Sequence, residues 1–122
     1  MIRPVRVPSW NGQNKYRARR TTVDGHTFAS KREAERYAEL RLLGKAGEIE
    51  ALELQPKFLL YVIPYKPPYR RIDVGVYIAD FSYIEKDEMV VEDVKSPATR
   101  TPLYRLKKKM VEALYGIMVR ET

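Results

Sequence analysis

The 122-residue chain contains no cysteine. That excludes a disulfide framework, a thiolate metal site and a cysteine nucleophile. Its single histidine, His26, leaves no material for an imidazole-rich metal centre. Any metal must therefore be held mainly by oxygen. No apolar run approaches the roughly 20 residues of a membrane-spanning helix, and the opening MIRPVRVPSW lacks the apolar stretch of a secretory signal. A soluble protein in the cytoplasm, without a membrane partner, is expected. The chain is also too short for two independent hydrophobic cores. With 44% hydrophobic residues and 13 aromatics it can fill one.

What is abundant is positive charge. The 23 Lys and Arg exceed the 16 Asp and Glu by 7, which points to a polyanionic partner. The excess is not spread evenly. Residues 1–32 hold eight basic groups (Arg3, Arg6, Lys15, Arg17, Arg19, Arg20, Lys31 and Arg32) against one acid, Asp24, whereas the other ninety residues hold fifteen of each sign. A basic arm on a charge-balanced body fits nucleic-acid binding, the alternative being a solubilising tail.

Residues 1–14 mix Pro, Gly, Asn and basic groups without periodicity and are expected to form an extended arm, with one domain over 15–122. Asp24-Gly25 is a turn signal that predicts a small hairpin from Tyr16 to Phe28. Ser30-Lys31-Arg32-Glu33 is a capping box opening a helix to about Leu43, closed by Gly44 or Gly47. Strands are expected at Ala51–Leu54, Phe58–Ile63, Val74–Ile84 and Met89–Val94. The segment Pro64 to Arg71, with three prolines, reads as an exposed loop, and Lys86-Asp87 as the centre of a hairpin turn. Thr101-Pro102 starts a second helix whose apolar stripe is Leu103, Leu106, Met110, Val111 and Leu114, and which Gly116 ends. A last strand at Ile117–Val119 completes a crossover, expected to be right-handed.

Two carboxylates stand out in apolar strands. Asp80 lies within the run Tyr77 to Tyr83, where an unpaired charge is costly. Strand alternation puts Asp93 and Lys95 on one face of Met89–Val94 and Val90, Glu92 and Val94 on the other. With the turn near Lys86-Asp87, Asp80 falls opposite residue 93 or 94, so the two carboxylates converge. Such a pair repels unless a cation lies between. A hard ion such as Mg²⁺ (or Mn²⁺) would bind there, with Lys95 placed to support a water nucleophile or a developing phosphorane charge. On the first helix, about 100° per residue sets Glu33 at the border of a buried face of Ala34, Tyr37, Ala38 and Leu40, with Glu35 and Glu39 in solvent. The bland alternatives are a surface ion pair of Asp93 with Lys95 and a purely capping Glu33.

This order of helix Glu, strand Asp and acid-x-Lys resembles the PD-(D/E)xK nuclease superfamily, whose core is αβββαβ. Phe28-Ala29-Ser30-Lys31-Arg32-Glu33, Gln55-Pro56, Ala79-Asp80-Phe81 and Val91-Glu92-Asp93-Val94-Lys95-Ser96 are similar to a small phage- and prophage-associated branch, related to transposon-end nucleases and Holliday-junction resolvases. The resemblance spans roughly residues 26–119. It implies an α/β (α+β) fold with a central mixed sheet, and Mg²⁺-dependent hydrolysis of DNA phosphodiesters. It further implies Asp80 and Asp93 as metal ligands, with the Val94 carbonyl, Glu33 as an additional or water-mediated ligand, and Lys95 as the polarising group. Ala79 replaces the proline of the motif, and Asp93 the commoner Glu. Gln55 either reaches the site or ends an edge strand. If phage-encoded, the protein would act in the host cytoplasm.

DNA contacts are expected from Arg17, Arg19 and Arg20 and from Lys66, Arg70 and Arg71 in the Pro64–Arg71 loop. There Tyr65 and Tyr69 either meet bases or a groove, or pack under their own loop. Lys107 and Lys108, with Lys109, are either further contacts or a solvated helix face. Two readings follow: a DNA endonuclease, of which a homodimeric junction or branched-DNA resolvase is one form, and a non-catalytic DNA-binding or packaging module on the same fold.

Overall fold

The computed structural model describes residues 20–122. The arm expected at 1–14, the first residues of the predicted hairpin, and Arg17 and Arg19 lie outside the described residues. The rest is α/β (α+β), in the order β1 (Thr21–Val23), β2 (His26–Phe28), α1 (Lys31–Lys45), β3 (Glu50–Leu54), β4 (Lys57–Val62), β5 (Ile72–Ile78), β6 (Phe81–Glu85), β7 (Glu88–Asp93), α2 (Pro102–Tyr115) and β8 (Val119–Glu121).

Local signals account for most boundaries. Asp24 and Gly25 both take positive φ, 50° and 78°, as a tight β1–β2 turn requires. The Ser30 hydroxyl accepts from the Glu33 N–H (3.1 Å) and starts α1. The other half of the expected capping box differs, since the Glu33 carboxylate takes its backbone hydrogen bond from Ala29. Thr101 caps α2 in the same way through the Tyr104 N–H, Pro102 is its first residue, and Gly116 ends it at φ 65°.

The central sheet is mixed, with strand order β3-β6-β7-β8. β3, β6 and β7 are successively antiparallel, and β8 returns through α2 to lie parallel to β7. Taken with the helices, this sheet has the order αβββαβ. One core lies against α1, where Ala34, Tyr37 and Leu40 meet Phe28, Ile49, Phe81 and Tyr83. The other lies against α2, where Tyr104 and Val111 meet Phe58, Leu60, Tyr77, Ala79, Val91 and Val119. No helix among the described residues is long and apolar enough to cross a membrane.

Four further expectations are corrected. The run Val74–Ile84 is two strands, β5 and β6, in different sheets, because β4 and β5 form a separate two-stranded arm. The break has a cause on the facing chain: Pro56 has no N–H to offer a ladder, and its carbonyl instead receives the Ala79 N–H at 3.1 Å. Gln55, at φ 51°, gives its N–H to the Asp80 carbonyl at 2.9 Å, so both chains bend together. In α2 the buried positions are Tyr104 and Val111, while Leu103 and Leu106 are exposed. The helix is rotated so that the Tyr104 hydroxyl reaches Glu121 on β8. On α1, Ala38 is exposed, and Glu33 itself joins the buried stripe. The last strand also lies slightly later than expected, at Val119–Glu121.

Candidate active site

The β6–β7 turn sets the site's register. Lys86 and Asp87 adopt left-handed φ of 51° and 63°, which fits a two-residue hairpin turn, and the ladder then pairs Phe81 with Glu92. One step further, Asp80 faces Asp93. Asp80 and the end of β7 are joined by main-chain to side-chain bonds in both directions: the Asp80 N–H donates to Asp93 Oδ1 (3.1 Å), and the N–H of the next residue, Val94, donates to Asp80 Oδ2 (2.8 Å). Asp93 Oδ2 accepts from the hydroxyl of Tyr77, so every one of these contacts arises at or beside the β5–β6 bend.

Glu33 approaches from α1 and is buried. Burial raises its pKa, as does the nearby charge of Asp93, while Lys95 opposes the shift. Asp80 is pushed up to about 8, first by burial and then by repulsion from Glu33 and Asp93. Asp93 is also raised, its burial outweighing the Tyr77 hydrogen bond and the attraction of Lys95. Lys95 is the cation acting on all three carboxyl groups. Its Nζ lies 4.2 Å from the centre of the Tyr104 ring, which holds the ammonium beside the cluster. The main chain here is clamped too, since the Lys95 N–H donates to the Thr122 carbonyl and the Thr122 N–H to the Asp93 carbonyl.

Three carboxyl groups against one ammonium is an unbalanced set. Without a cation the imbalance is met by retaining a proton, as the pKa of Asp80 reflects; a hard dication would meet it instead. Among the described residues no group of three or more His, Cys, Asp or Glu side chains is poised to hold a metal jointly. The contacting pair of carboxylates, Asp80 and Asp93, with Glu33 nearby, is all-oxygen donor chemistry of the kind hard dications take. Gln55 touches this region through its main chain, by the bond to the Asp80 carbonyl, and its side chain is exposed.

Nearly all of the described chain is covered by a family match. A family model whose description is a protein of unknown function, DUF1064, matches residues 13–120. The chain belongs to this family. No curated protein and no solved structure matches it. The DUF1064 match covers Glu33, Asp80, Asp93 and Lys95 alike.

Beside the cluster a cavity of about 400 Å³ is lined by Tyr77, Asp93, Lys95, Thr101, Tyr104 and Lys107, among others. Lys107 is engaged within it, donating to the Val76 carbonyl at 2.9 Å. Lys108 is ion-paired with Glu112 at 3.5 Å, and Lys109 is exposed. Arg20 is exposed. In the 64–71 loop, Lys66, Tyr69, Arg70 and Arg71 are all exposed, as is Tyr65. Arg71 is held by Asp73 (3.0 Å) and by the face of Tyr61.

Sequence reasoning missed Tyr77 and Tyr104, which orient Asp93 and Lys95, and it missed a second buried carboxylate. Glu92 is fully buried on the opposite face of β7, where it pairs bidentately with Arg36 of α1 and accepts from Tyr83 and Thr122. The signal was available: Glu92 interrupts an apolar strand just as Asp80 does. It is a satisfied structural network, and its pKa is lowered, because Arg36, Tyr83 and Thr122 together outweigh burial.

Proposed function

We propose that this DUF1064 chain is a Mg²⁺- or Mn²⁺-dependent endodeoxyribonuclease of the PD-(D/E)xK kind, hydrolysing DNA phosphodiester bonds in the cytoplasm. The observation that carries the reading is the convergence of Glu33, Asp80 and Asp93 around a single ammonium, Lys95, with Asp80 driven up to about 8. A structural carboxylate set would be expected to have its charge satisfied, as that of Glu92 is; carboxylates perturbed by burial and by one another beside a lysine support a working site instead.

Asp80 and Asp93 would hold the dication, with the Val94 carbonyl beside them and Glu33 acting through water. When bound, such an ion polarises the phosphoryl oxygens and acidifies a water ligand. The chain's own groups do the rest. Tyr77 keeps Asp93 in one orientation, Tyr104 keeps Lys95 over the cluster, and Lys95 offsets the negative charge that builds on the phosphate during water attack. A supercoiled plasmid incubated with Mg²⁺ or Mn²⁺ tests this directly. Nicking is expected from the wild type and none from Asp80→Ala, Asp93→Ala or Lys95→Ala; equal activity in the aspartate variants would remove the reading. A resolvase form would further require a homodimer, since two opposed strands need two sites, and a four-way junction compared with linear duplex separates it from a general nuclease.

One observation favours a second reading, a DNA-binding or packaging module without catalysis: the absence, among the described residues, of three ligands already poised around one point. Calorimetric titration with Mn²⁺ distinguishes the two, because the module binds DNA in a salt-sensitive way and takes up no metal.

A further inference from the structure

The β4–β5 arm ends in the segment Ile63-Pro64-Tyr65-Lys66-Pro67-Pro68-Tyr69-Arg70-Arg71. Its tyrosines are not packed beneath the loop: Tyr65 is 94% exposed and Tyr69 56%. Tyr69 also holds a left-handed φ of 54°, a conformation disfavoured for any residue with a Cβ. Strain of this kind, on an exposed aromatic side chain, is a feature of ligand-contacting loops. Between and beside the rings, Lys66 and Arg70 carry charges with no ion pair among the described residues, whereas Arg71 is already tied to Asp73 and Tyr61. Exposed flat rings interleaved with free cations match what unpaired nucleotides offer, namely base faces for stacking and phosphates for pairing. In a continuous duplex those base faces are covered by their neighbours, and phosphate contacts alone would make no use of the rings.

The arm also bounds a distance. From Tyr69 to Asp80 is eleven residue steps, at most about 37 Å even if fully extended. That is the length of about eleven nucleotides of one B-form strand. We propose that the arm tip is a stacking platform for unpaired bases, so that the preferred DNA is single-stranded or forked within about eleven nucleotides of the phosphate at the carboxylate cluster. Only this spacing rests on the nuclease reading; the stacking itself does not.

Fluorescence anisotropy in EDTA, using a labelled single strand, its duplex and a fork with unpaired arms, tests the platform without any cleavage. Wild type is expected to bind fork and single strand more tightly than duplex. Tyr65→Ala, at a position too exposed to affect folding, should weaken both by about 5- to 150-fold while leaving duplex binding unchanged, and Tyr65→Phe should retain wild-type binding. An equal loss on duplex would assign the tip to a groove. That result, no loss on any substrate, no DNA binding by the wild type, or a Phe variant as weak as Ala would each overturn the proposal. Retained fork preference with no cleavage in Mg²⁺ or Mn²⁺ would sink the nuclease reading and leave the platform standing. Where cleavage occurs, cuts scattered without relation to the fork point would overturn the spacing.

Discussion

Asp80, at the bend between β5 and β6, and Glu92, in β7, are both carboxylates among apolar residues, and their surroundings drive them in opposite directions. Asp80 meets burial plus two like charges; Glu92 meets burial plus a guanidinium and two hydroxyls. The consequences for stability have opposite signs. The folded state keeps the Asp80 proton over a range in which the unfolded chain has lost it, so this contribution is complete below pH about 4 and disappears as pH rises through about 8. In EDTA, melting temperature should therefore fall between pH 5 and pH 8.5, and Asp80→Asn should flatten that slope while stabilising the metal-free protein at the alkaline end by about 1–3 kcal/mol. The Glu92 contribution is present above the ordinary glutamate pKa and is lost as pH falls through its lowered folded value. Tyr77→Phe, which removes the hydroxyl donated to Asp93, should cost about 1–3 kcal/mol, measurable by urea denaturation.

At the scale of elements, α1 is joined to the sheet by more than its apolar stripe. Arg36 reaches across to Glu92 and is the only cation that bonds to it among the described residues. Arg36→Ala should strand a buried carboxylate and destabilise the fold by about 3 kcal/mol, and the double variant Arg36→Met/Glu92→Gln should recover much of that loss in chemical denaturation. Element ends were the most legible part of the sequence, because caps and turns are local chemistry: Ser30, Thr101-Pro102, Asp24-Gly25, Lys86-Asp87 and Gly116 all act where their side chains or φ preferences demand. Gly116→Ala, in open space but at φ 65°, should cost about 1 kcal/mol through backbone strain alone. The division of Val74–Ile84 was not legible, because its cause, Pro56, lies far off in the chain, between β3 and β4. The rotation of α2 was hidden for a similar reason. Tyr104 is amphipathic, and only its partners Glu121 and Lys95 decide which way its face turns.

For the molecule as a whole, the charge distribution separates two tasks. The excess of +7 sits in residues 1–32, and the remaining ninety residues are balanced. Removing residues 1–19 deletes five basic groups, Arg3, Arg6, Lys15, Arg17 and Arg19. The slope of log binding constant against log salt for duplex DNA should then shrink by up to about 4.5, while the arm-tip preference for unpaired bases persists. A slope unchanged by the truncation would show that those groups make no phosphate contact.

The sequence by itself determined the succession of a helix, a run of strands, a second helix and a last strand, the turn that aligns Asp80 with Asp93, and the place of Glu33 at the border of a buried helix face. Each follows from periodicity, capping or turn chemistry, which act over a few residues. Only the tertiary structure decided that Asp80 stands at a bend shared by two strand pairs, that Tyr77 and Tyr104 orient Asp93 and Lys95, and that the tyrosines of the arm tip face solvent. Those outcomes depend on burial and on hydrogen bonds between residues distant in the chain, and a carboxylate in an apolar strand looks the same in sequence whether an arginine waits opposite it, as for Glu92, or two more carboxylates do, as for Asp80.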